Sequence, residues 1–281
     1  MASTNATHEP ARKRPIAFGK VALSLIVSFI LFYLVFPVIV VFPVSVHPFD
    51  YLHFPPRGFS LRWYQSFFTD RIWISSTILS FQVAALTTIA ATAIGTASAI
   101  GLMRGNVRGK GILQAVLLSP LVVPAIIIGL SSFFLLTALG IKGTALGFVL
   151  VYTVLALPFV VLVVAAGLQG VDEELERAAM NLGASRLRAF VVITVPLIRP
   201  AILTAALFAF RAAFDEAVIT IFISGYRIAT LPKTMFDAMF DVTDLTVAAA
   251  SSLMTLLTTL LLISTQLIRH RVERARTATA G

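Results

Sequence analysis

The chain has 281 residues, of which 58% are apolar and only 12% are charged, and its mean hydropathy is +0.93. A soluble domain carries about a quarter charged residues, so this composition argues against a soluble globular fold. The net charge of +9 is compatible with a nucleic-acid partner or with an oriented membrane protein. The chain has no cysteine, which excludes disulfides, thiolate metal sites and cysteine nucleophiles.

Apolar runs follow one another along the chain, each long enough for the roughly 20 residues that a membrane-spanning helix needs. They lie at 21–46, 73–103, 112–139, 144–168, 201–224 and 245–268. Several contain or border prolines, which membrane helices tolerate because neighbouring helices satisfy the freed backbone groups. The pattern predicts an all-α membrane protein with six transmembrane helices.

Lys and Arg residues are divided unevenly between the two sides of such a protein. With the N-terminus inside, fifteen lie in inside segments and six in outside segments. This bias follows the positive-inside rule and predicts that both termini are cytoplasmic. The expected organisation is a cytoplasmic N-terminal tail (1–20), a first transmembrane helix (21–46), an external aromatic-rich loop (47–72), a transmembrane core (73–268) and a cytoplasmic C-terminal tail (269–281). The basic charge then reports topology, and no nucleic-acid partner is expected.

The external loop is longer than a simple connection needs. Its aromatic residues are Tyr51, Phe54, Phe59, Trp63, Tyr64, Phe67 and Phe68. They predict an amphipathic segment at the membrane interface. A docking surface for an extracytoplasmic partner is the alternative interpretation.

The long inside loop, residues 170–200, has the pattern of two short helices separated by a glycine. Asp172 is placed to cap the first helix and Gly183 to end it, while Ser185 is placed to cap a second helix. That second helix is predicted to run toward Pro196. One face of the first helix is apolar and consists of Leu175, Ala178, Ala179 and Leu182. This face either packs on its own bundle or the lipid headgroups, or it inserts into a cytoplasmic partner.

Within this loop, the run from Ala178 and Ala179 to Gly183, followed by Ile193 and Pro196, resembles the EAA loop of permease subunits of binding-protein-dependent ABC importers. In that family the loop forms the coupling helix that seats in a cleft of the ATPase subunit. The resemblance implies a coupling role for Glu174, Glu176, Arg177, Ala178, Ala179, Gly183, Ile193 and Pro196. One position departs from the family pattern: Arg177 stands where the family has Glu directly before the two alanines, and Glu176 lies one position earlier.

Residues 59–64, 120–124, 214–216 and 230–235 resemble the polyamine branch of these permeases, the spermidine/putrescine transport permeases. The resemblance extends from about residue 59 to 268. It implies a type I importer permease in the bacterial cytoplasmic (inner) membrane, paired with a second permease, two cytoplasmic ATPases and an extracytoplasmic solute-binding protein. On this interpretation the chain moves a small cationic solute and is not itself an enzyme. It holds no cofactor, because ATP and Mg bind to the ATPase.

Three ionisable residues, Arg211, Asp215 and Glu216, fall early in the fifth predicted span, where charge is costly and often functional. Arg211 and Asp215 are four residues apart and can pair on one helix face, which leaves Glu216 without an obvious local partner. The cluster either lines the translocation path, where a carboxylate attracts a cationic solute, or locks helices together, or takes part in gating.

Other classes of protein have less support. The nearest string to a phosphate-binding loop, residues 105–111, is one residue short between its glycines and lacks the Ser or Thr that follows the Lys. The four histidines lie outside the predicted spans, and no cluster of residues predicts a metal site. Two alternatives remain: a permease for another small solute, such as phosphonate, iron or an opine, and a self-contained six-helix secondary transporter, for which inverted repeats are not evident.

Overall fold

The computed structural model describes residues 18–49, 58–225, 228–240 and 244–279, and within these ranges all regular secondary structure is helical. The α-helices are α1 (Phe18–Ser45), α2 (Arg62–Thr69), α3 (Arg71–Arg104), α4 (Lys110–Leu118), α5 (Ala125–Ala138), α6 (Ala145–Gln169), α7 (Glu173–Asn181), α8 (Arg186–Ala189), α9 (Val195–Phe214), α10 (Val218–Ile223), α11 (Leu231–Ala238) and α12 (Thr246–Thr279). A 3₁₀ turn, Ser119–Leu121, follows α4, and a π turn, Phe190–Thr194, joins α8 to α9.

Five helices of the described ranges are long and apolar enough to cross a membrane. They are Lys20–Ser45, Arg71–Arg104, Ala145–Gln169, Arg186–Phe214 and Thr246–Leu267. A sixth crossing is obtained if the bent pair Lys110–Leu121 and Ala125–Ala138 is one span. The prediction of an all-α membrane protein with six transmembrane helices agrees with this arrangement. Of the predicted tails, residues 1–17 and 280–281 lie outside the described ranges, whereas α12 continues through 269–279.

The third predicted span, 112–139, is wrong as one continuous helix. Its two halves, α4 with the 3₁₀ turn and then α5, meet at an angle of 99°. Pro120 lies in the turn, and Pro124 has extended backbone directly before α5. A proline has no N–H to donate and disfavours helical backbone in the residue before it. The two prolines therefore account for the bend.

The fifth predicted span, 201–224, is wrong in both of its bounds. The helical run begins at Arg186, passes through the π turn into α9 and ends at Phe214, and α10 is a separate helix. The second short helix of the inside loop is therefore the beginning of this long run, and Pro196 lies inside the run, directly after the π turn. The charged residues near 215 lie at the end of α9 and not early in a span.

The centre of the bundle is formed by α3, α6 and α9, which pack on one another. Fully buried alanines line their contacts: Ala84, Ala91 and Ala99 on α3, Ala156 on α6, and Ala205 and Ala209 on α9. Such small residues let membrane helices approach closely. The approach is tightest at Gly167 of α6, where an added Cβ atom would lie 2.5 Å from Cβ of Ala201 on α9, and it is similar at Gly95 of α3, 2.6 Å from Cγ1 of Val160 on α6.

The predicted aromatic loop contains the amphipathic helix α2. Trp63 and Phe67 of this helix are buried, whereas Phe68 is exposed. The helix packs against α3 and α12, so its buried aromatic residues attach it to the bundle at the end where α3 begins. Tyr51 and Phe54 of the predicted segment lie outside the described residues.

Candidate functional site

Two short helices, α7 and α8, and the turn between them form a compact unit that we call the α7–α8 pair. The side chain of Asp172 accepts a hydrogen bond from the backbone N–H of Glu174, at 2.9 Å, and so caps the start of α7. The Ser185 hydroxyl accepts one from the backbone N–H of Arg188, at 3.3 Å, and caps α8. Both caps predicted from the sequence are confirmed. Each satisfies a backbone N–H that has no partner within its helix.

The end of α7 depends on Gly183, which has a φ of +93°. The backbone N–H of Gly183 donates to the carbonyl of Met180, and the N–H of Ala184 donates to the carbonyl of Ala179, each at 3.0 Å. These two bonds form a Schellman motif, which requires left-handed backbone at the residue after the helix cap. Glycine adopts that conformation without steric cost, so the predicted stop at Gly183 is confirmed.

A polar network, which we call the anchor, joins the α7–α8 pair to the membrane helices. Nη1 of Arg104 lies 2.9 Å from Oε1 of Glu173 and 3.9 Å from Oε1 of Glu176, and Nη2 donates to the carbonyl of Val171 at 3.2 Å. The hydroxyl of Thr194, in the π turn, donates to the Glu176 carboxylate. The side chains of Arg104 and Glu176 are each only 13% exposed. Sequence reasoning treated Arg104 only as an inside charge and did not find this role.

The apolar face predicted for α7 is not buried within the described part of the chain. Leu175 and Leu182 are 48% and 90% exposed, Ala178 is exposed, and Ala179 is half-buried. Leu187 of α8 adds a further side chain that is 73% exposed. Packing on this chain's own described helices therefore does not account for the apolar face.

Arg177, the residue that departs from the EAA pattern, is on the exposed side of α7. Its side chain is 64% exposed and lies 3.6 Å from Oε2 of Glu173 and 3.7 Å from Oε1 of Glu174. Ile193 is half-buried in the π turn, and Pro196 is exposed. The predicted coupling residues thus divide into an inward group around Glu176 and an outward group around Arg177.

The second candidate site is a cavity of about 340 Å³ that Arg211, Asp215 and Glu216 line together. We call it the charged cavity. The remaining wall is apolar and consists of Pro120, Leu121, Leu155, Phe159, Phe208 and Ala212. Because Pro120 and Leu121 belong to the 3₁₀ turn, the bend in the third span forms part of the wall.

The charged residues of this cavity are held by the ends of α9 and α10. Nε of Arg211 lies 3.4 Å from Oδ2 of Asp215, so the predicted pairing of these two residues is confirmed. The expectation that Glu216 has no local partner is wrong: its Oε1 accepts the backbone N–H groups of Val218, at 3.0 Å, and Ile219, at 2.9 Å. Glu216 has these donors because α10 begins two residues later and its first N–H groups lack partners within the helix.

Comparisons with known proteins agree with this arrangement. Residues 91–274 match the family described as the binding-protein-dependent transport system inner membrane component. The putrescine transport system permease protein PotI of Escherichia coli is 36% identical over 192 residues, which are 65% of this chain and 67% of PotI. The spermidine/putrescine transport system permease protein PotC of Haemophilus influenzae is 29% identical over 239 residues, which are 85% of this chain and 93% of PotC.

The fold is also similar to a chain in the crystal structure of a bacterial ABC transporter involved in the import of the acidic polysaccharide alginate. The TM-score is 0.66 at 15% identity, over 91% of this chain and 96% of that chain. At this identity the likeness establishes the fold alone. The resemblance to permease subunits of ABC importers is confirmed, and the family match includes both the α7–α8 pair and the charged cavity. The chain is a multi-pass protein of the inner membrane and belongs to the family of inner membrane components of binding-protein-dependent transport systems.

Proposed function

We propose that this chain is the permease subunit of an ATP-driven importer for a small cationic solute such as putrescine or spermidine. The main support for this proposal is the charged cavity, whose lining within the membrane bundle includes two carboxylates and one guanidinium. Charge and hydrogen bonding attract an ammonium group to carboxylates in such surroundings. PotI and PotC, whose names specify putrescine and spermidine/putrescine transport, support the same class of solute.

The exposure of the charged pair supports a second permease subunit beside this one. The side chains of Arg211 and Asp215 are 46% and 30% exposed, although they lie at the end of a helix that is long and apolar enough to span a membrane. A charged side chain that faces lipid is costly. A second permease that covers this face relieves the cost, and the solute path then runs between the two subunits, along the charged cavity.

The exposed leucines of the α7–α8 pair support a docking surface for one of the two cytoplasmic ATPases. An amphipathic helix with an uncovered apolar face is suited to a hydrophobic groove on a partner. The proposed coupling residues are Glu174, Glu176, Arg177, Ala178, Ala179, Gly183, Ile193 and Pro196. In this arrangement ATP and Mg bind to the ATPases, this chain needs no cofactor, and both of its termini lie on the cytoplasmic side.

Exposed aromatic and methionine side chains at the opposite end of α3 support docking of an extracytoplasmic solute-binding protein. Phe68 of α2 is 62% exposed, and Met239 and Phe240 after α11 are 70% and 75% exposed. Helices α2 and α11 both pack on α3, and the backbone N–H of Leu231 donates to the Ser80 hydroxyl at 2.7 Å. The family description itself specifies dependence on a binding protein.

The test is uptake of radiolabelled putrescine and spermidine by proteoliposomes that contain the complete transporter. Asp215→Asn is expected to lower the uptake rate about tenfold, because hydrogen bonds to charged groups contribute about 1.5–3 kcal/mol. The control is Arg108→Gln, which also neutralises a charged side chain, but at an exposed position in the connection between α3 and α4, away from the cavity. The control is expected to transport at the wild-type rate.

Wild-type uptake by Asp215→Asn would show that this carboxylate does not face the solute. A wild-type transporter that couples ATP hydrolysis to the uptake of another solute, and takes up neither polyamine, would contradict the solute class. Purification of the intact complex with each variant separates these outcomes from failed assembly.

A further inference from the structure

One guanidinium group joins the ends of α3 and α6, and a carboxylate that faces it makes the link to a third helix of the bundle centre. Arg104 is the last residue of α3, and its Nη2 donates to the carbonyl of Val171, just after α6. Its Nη1 faces Glu173 and Glu176 of α7. Glu176 in turn accepts the hydroxyl of Thr194, at the end of the π turn that leads into α9. The anchor therefore connects α7 to α3, α6 and α9.

The contacts of Arg104 with Val171 and Glu176, and that of Glu176 with Thr194, are screened from water, although the side chain of Glu173 is 54% exposed. Thr194 and Val171 are buried, and the side chains of Arg104 and Glu176 are 13% exposed. By contrast, the side chains of Arg177 and Glu174 are 64% and 78% exposed. Removal of one partner from a largely buried pair leaves an uncompensated charge, whereas an exposed pair contributes little. The anchor is therefore the electrostatic contact that fixes the position of α7.

The π turn places the anchor at a point where the backbone of the long helical run changes. Residues Phe190–Thr194 are wound more widely than the helix on either side, and such turns are often found at functional positions. Thr194, the last residue of this turn, is the one that donates to Glu176. A displacement of α7 therefore acts directly on the entry to α9, the helix that ends at the charged cavity.

We propose that Arg104 is a positioning residue for transport: it holds the α7–α8 pair against α3, α6 and α9, so that movement of the pair is passed to all three. This inference rests on the proposed function, in which the ATPases act on the α7–α8 pair. It assigns opposite roles to two adjacent residues, because Glu176 holds the pair inward while Arg177 faces the partner. Without Arg104, the exposed leucines still dock the ATPase, but a smaller part of the movement of the α7–α8 pair is passed to α3, α6 and α9.

The experiment uses the complete transporter in proteoliposomes and measures, on the same preparation, solute uptake and the ATP hydrolysis that the loaded binding protein stimulates. Arg104→Ala is expected to lower the solute moved per ATP about fivefold or more, the usual range for loss of coupling between sites, while the ATPases still co-purify. Arg104→Lys is expected to give an intermediate ratio, since one ammonium keeps the charge near Glu173 but lacks the forked donors that also reach Val171. The matched control is Arg108→Ala, an exposed arginine in the connection between α3 and α4.

An unchanged ratio in Arg104→Ala overturns the proposal, and so does an equal fall in Arg108→Ala. If the complex with Arg104→Ala does not assemble, the same ratio of solute to ATP is measured for Thr194→Val. This variant breaks the bond to Glu176 and leaves the Arg104 contacts in place. A lowered ratio in Thr194→Val supports the anchor, and a wild-type ratio overturns it. Failure of the wild-type complex to hydrolyse ATP in response to the loaded binding protein contradicts instead the proposed function, and this is measured before any variant.

Discussion

The α7–α8 pair and the charged cavity both use a few charged residues at helix ends, but they orient them differently. In the pair, Glu176 bonds inward to Arg104 and Thr194, and leucines are left exposed. In the cavity, Arg211 and Asp215 are partly exposed, and the surrounding wall is apolar. The pair thus leaves an apolar surface exposed, which the proposed docking of a protein partner requires, whereas the cavity exposes charge, which the proposed passage of a cationic solute requires. The two proposed roles differ in how the charges are oriented, and both regions contain charged residues.

The backbone at two glycine turns of the molecule also differs. At the end of α10 away from Glu216, the loop before α6 contacts the loop after α10, with glycines at the point of closest approach. At the α7–α8 pair, the glycine that ends α7 has no neighbouring atom where its side chain would be. Glycine is therefore needed for both space and backbone conformation beside the end of α10, but only for backbone conformation in the pair. Substitutions by alanine should reveal this difference.

The largest effect on stability is expected from Gly143→Ala. An added Cβ atom would lie 2.7 Å from Cα of Gly225, and the φ of +70° disfavours any side chain. The backbone N–H of Gly143 also donates to the carbonyl of Ile223, so the loop cannot move away without losing this bond. We expect a loss of about 2–5 kcal/mol from overpacking and backbone strain together, measured as a lower melting temperature of the purified complex. Gly111→Ala is the control.

Gly111 lies in α4 with no atom within 4 Å of an added Cβ. Its replacement by alanine is expected to leave the melting temperature unchanged or to raise it slightly, because alanine is the better helix former. If Gly143→Ala and Gly111→Ala melt alike, the close approach beside α10 does not contribute to stability.

A smaller loss of stability is expected from Gly183→Ala in the α7–α8 pair. No atom lies within 4 Å of an added Cβ, so only the left-handed backbone opposes the substitution. This conformation costs a side-chain-bearing residue about 1–2 kcal/mol. Gly183→Asn should lower the free energy of unfolding by less than Gly183→Ala, since asparagine is the other residue that commonly follows a helix cap in this conformation. Equal melting temperatures for the two variants would contradict the backbone explanation.

The parts of both sites that the sequence predicts are local. Asp172, Gly183 and Ser185 act on backbone groups within a few residues of themselves, so their patterns are sufficient to place the caps. The contact of Arg104 with Val171 joins residues 67 positions apart, and no pattern in one sequence records such a pair. The break at 215–217 also escaped prediction, because hydropathy measures how apolar a segment is and not where its backbone bends. The bend at Pro120 and Pro124 did have a sequence signal.

The smallest effect on stability is expected at Arg177. Its pairs with Glu173 and Glu174 are exposed and longer than 3.5 Å, and exposed ion pairs contribute about 0–1 kcal/mol. Arg177→Glu, which introduces the residue that the EAA pattern has at this position, should therefore barely change the melting temperature of the isolated permease. A change in ATPase docking in this variant can then be attributed to the contact with the ATPase and not to unfolding of the permease.

We expect co-purification of the ATPase to fall in Arg177→Glu and to be retained in Arg177→Lys, because a partner matched to Arg177 presents opposite charge there. Equal co-purification in the two variants would show that position 177 does not face the ATPase, and that the exposed leucines alone form the docking surface.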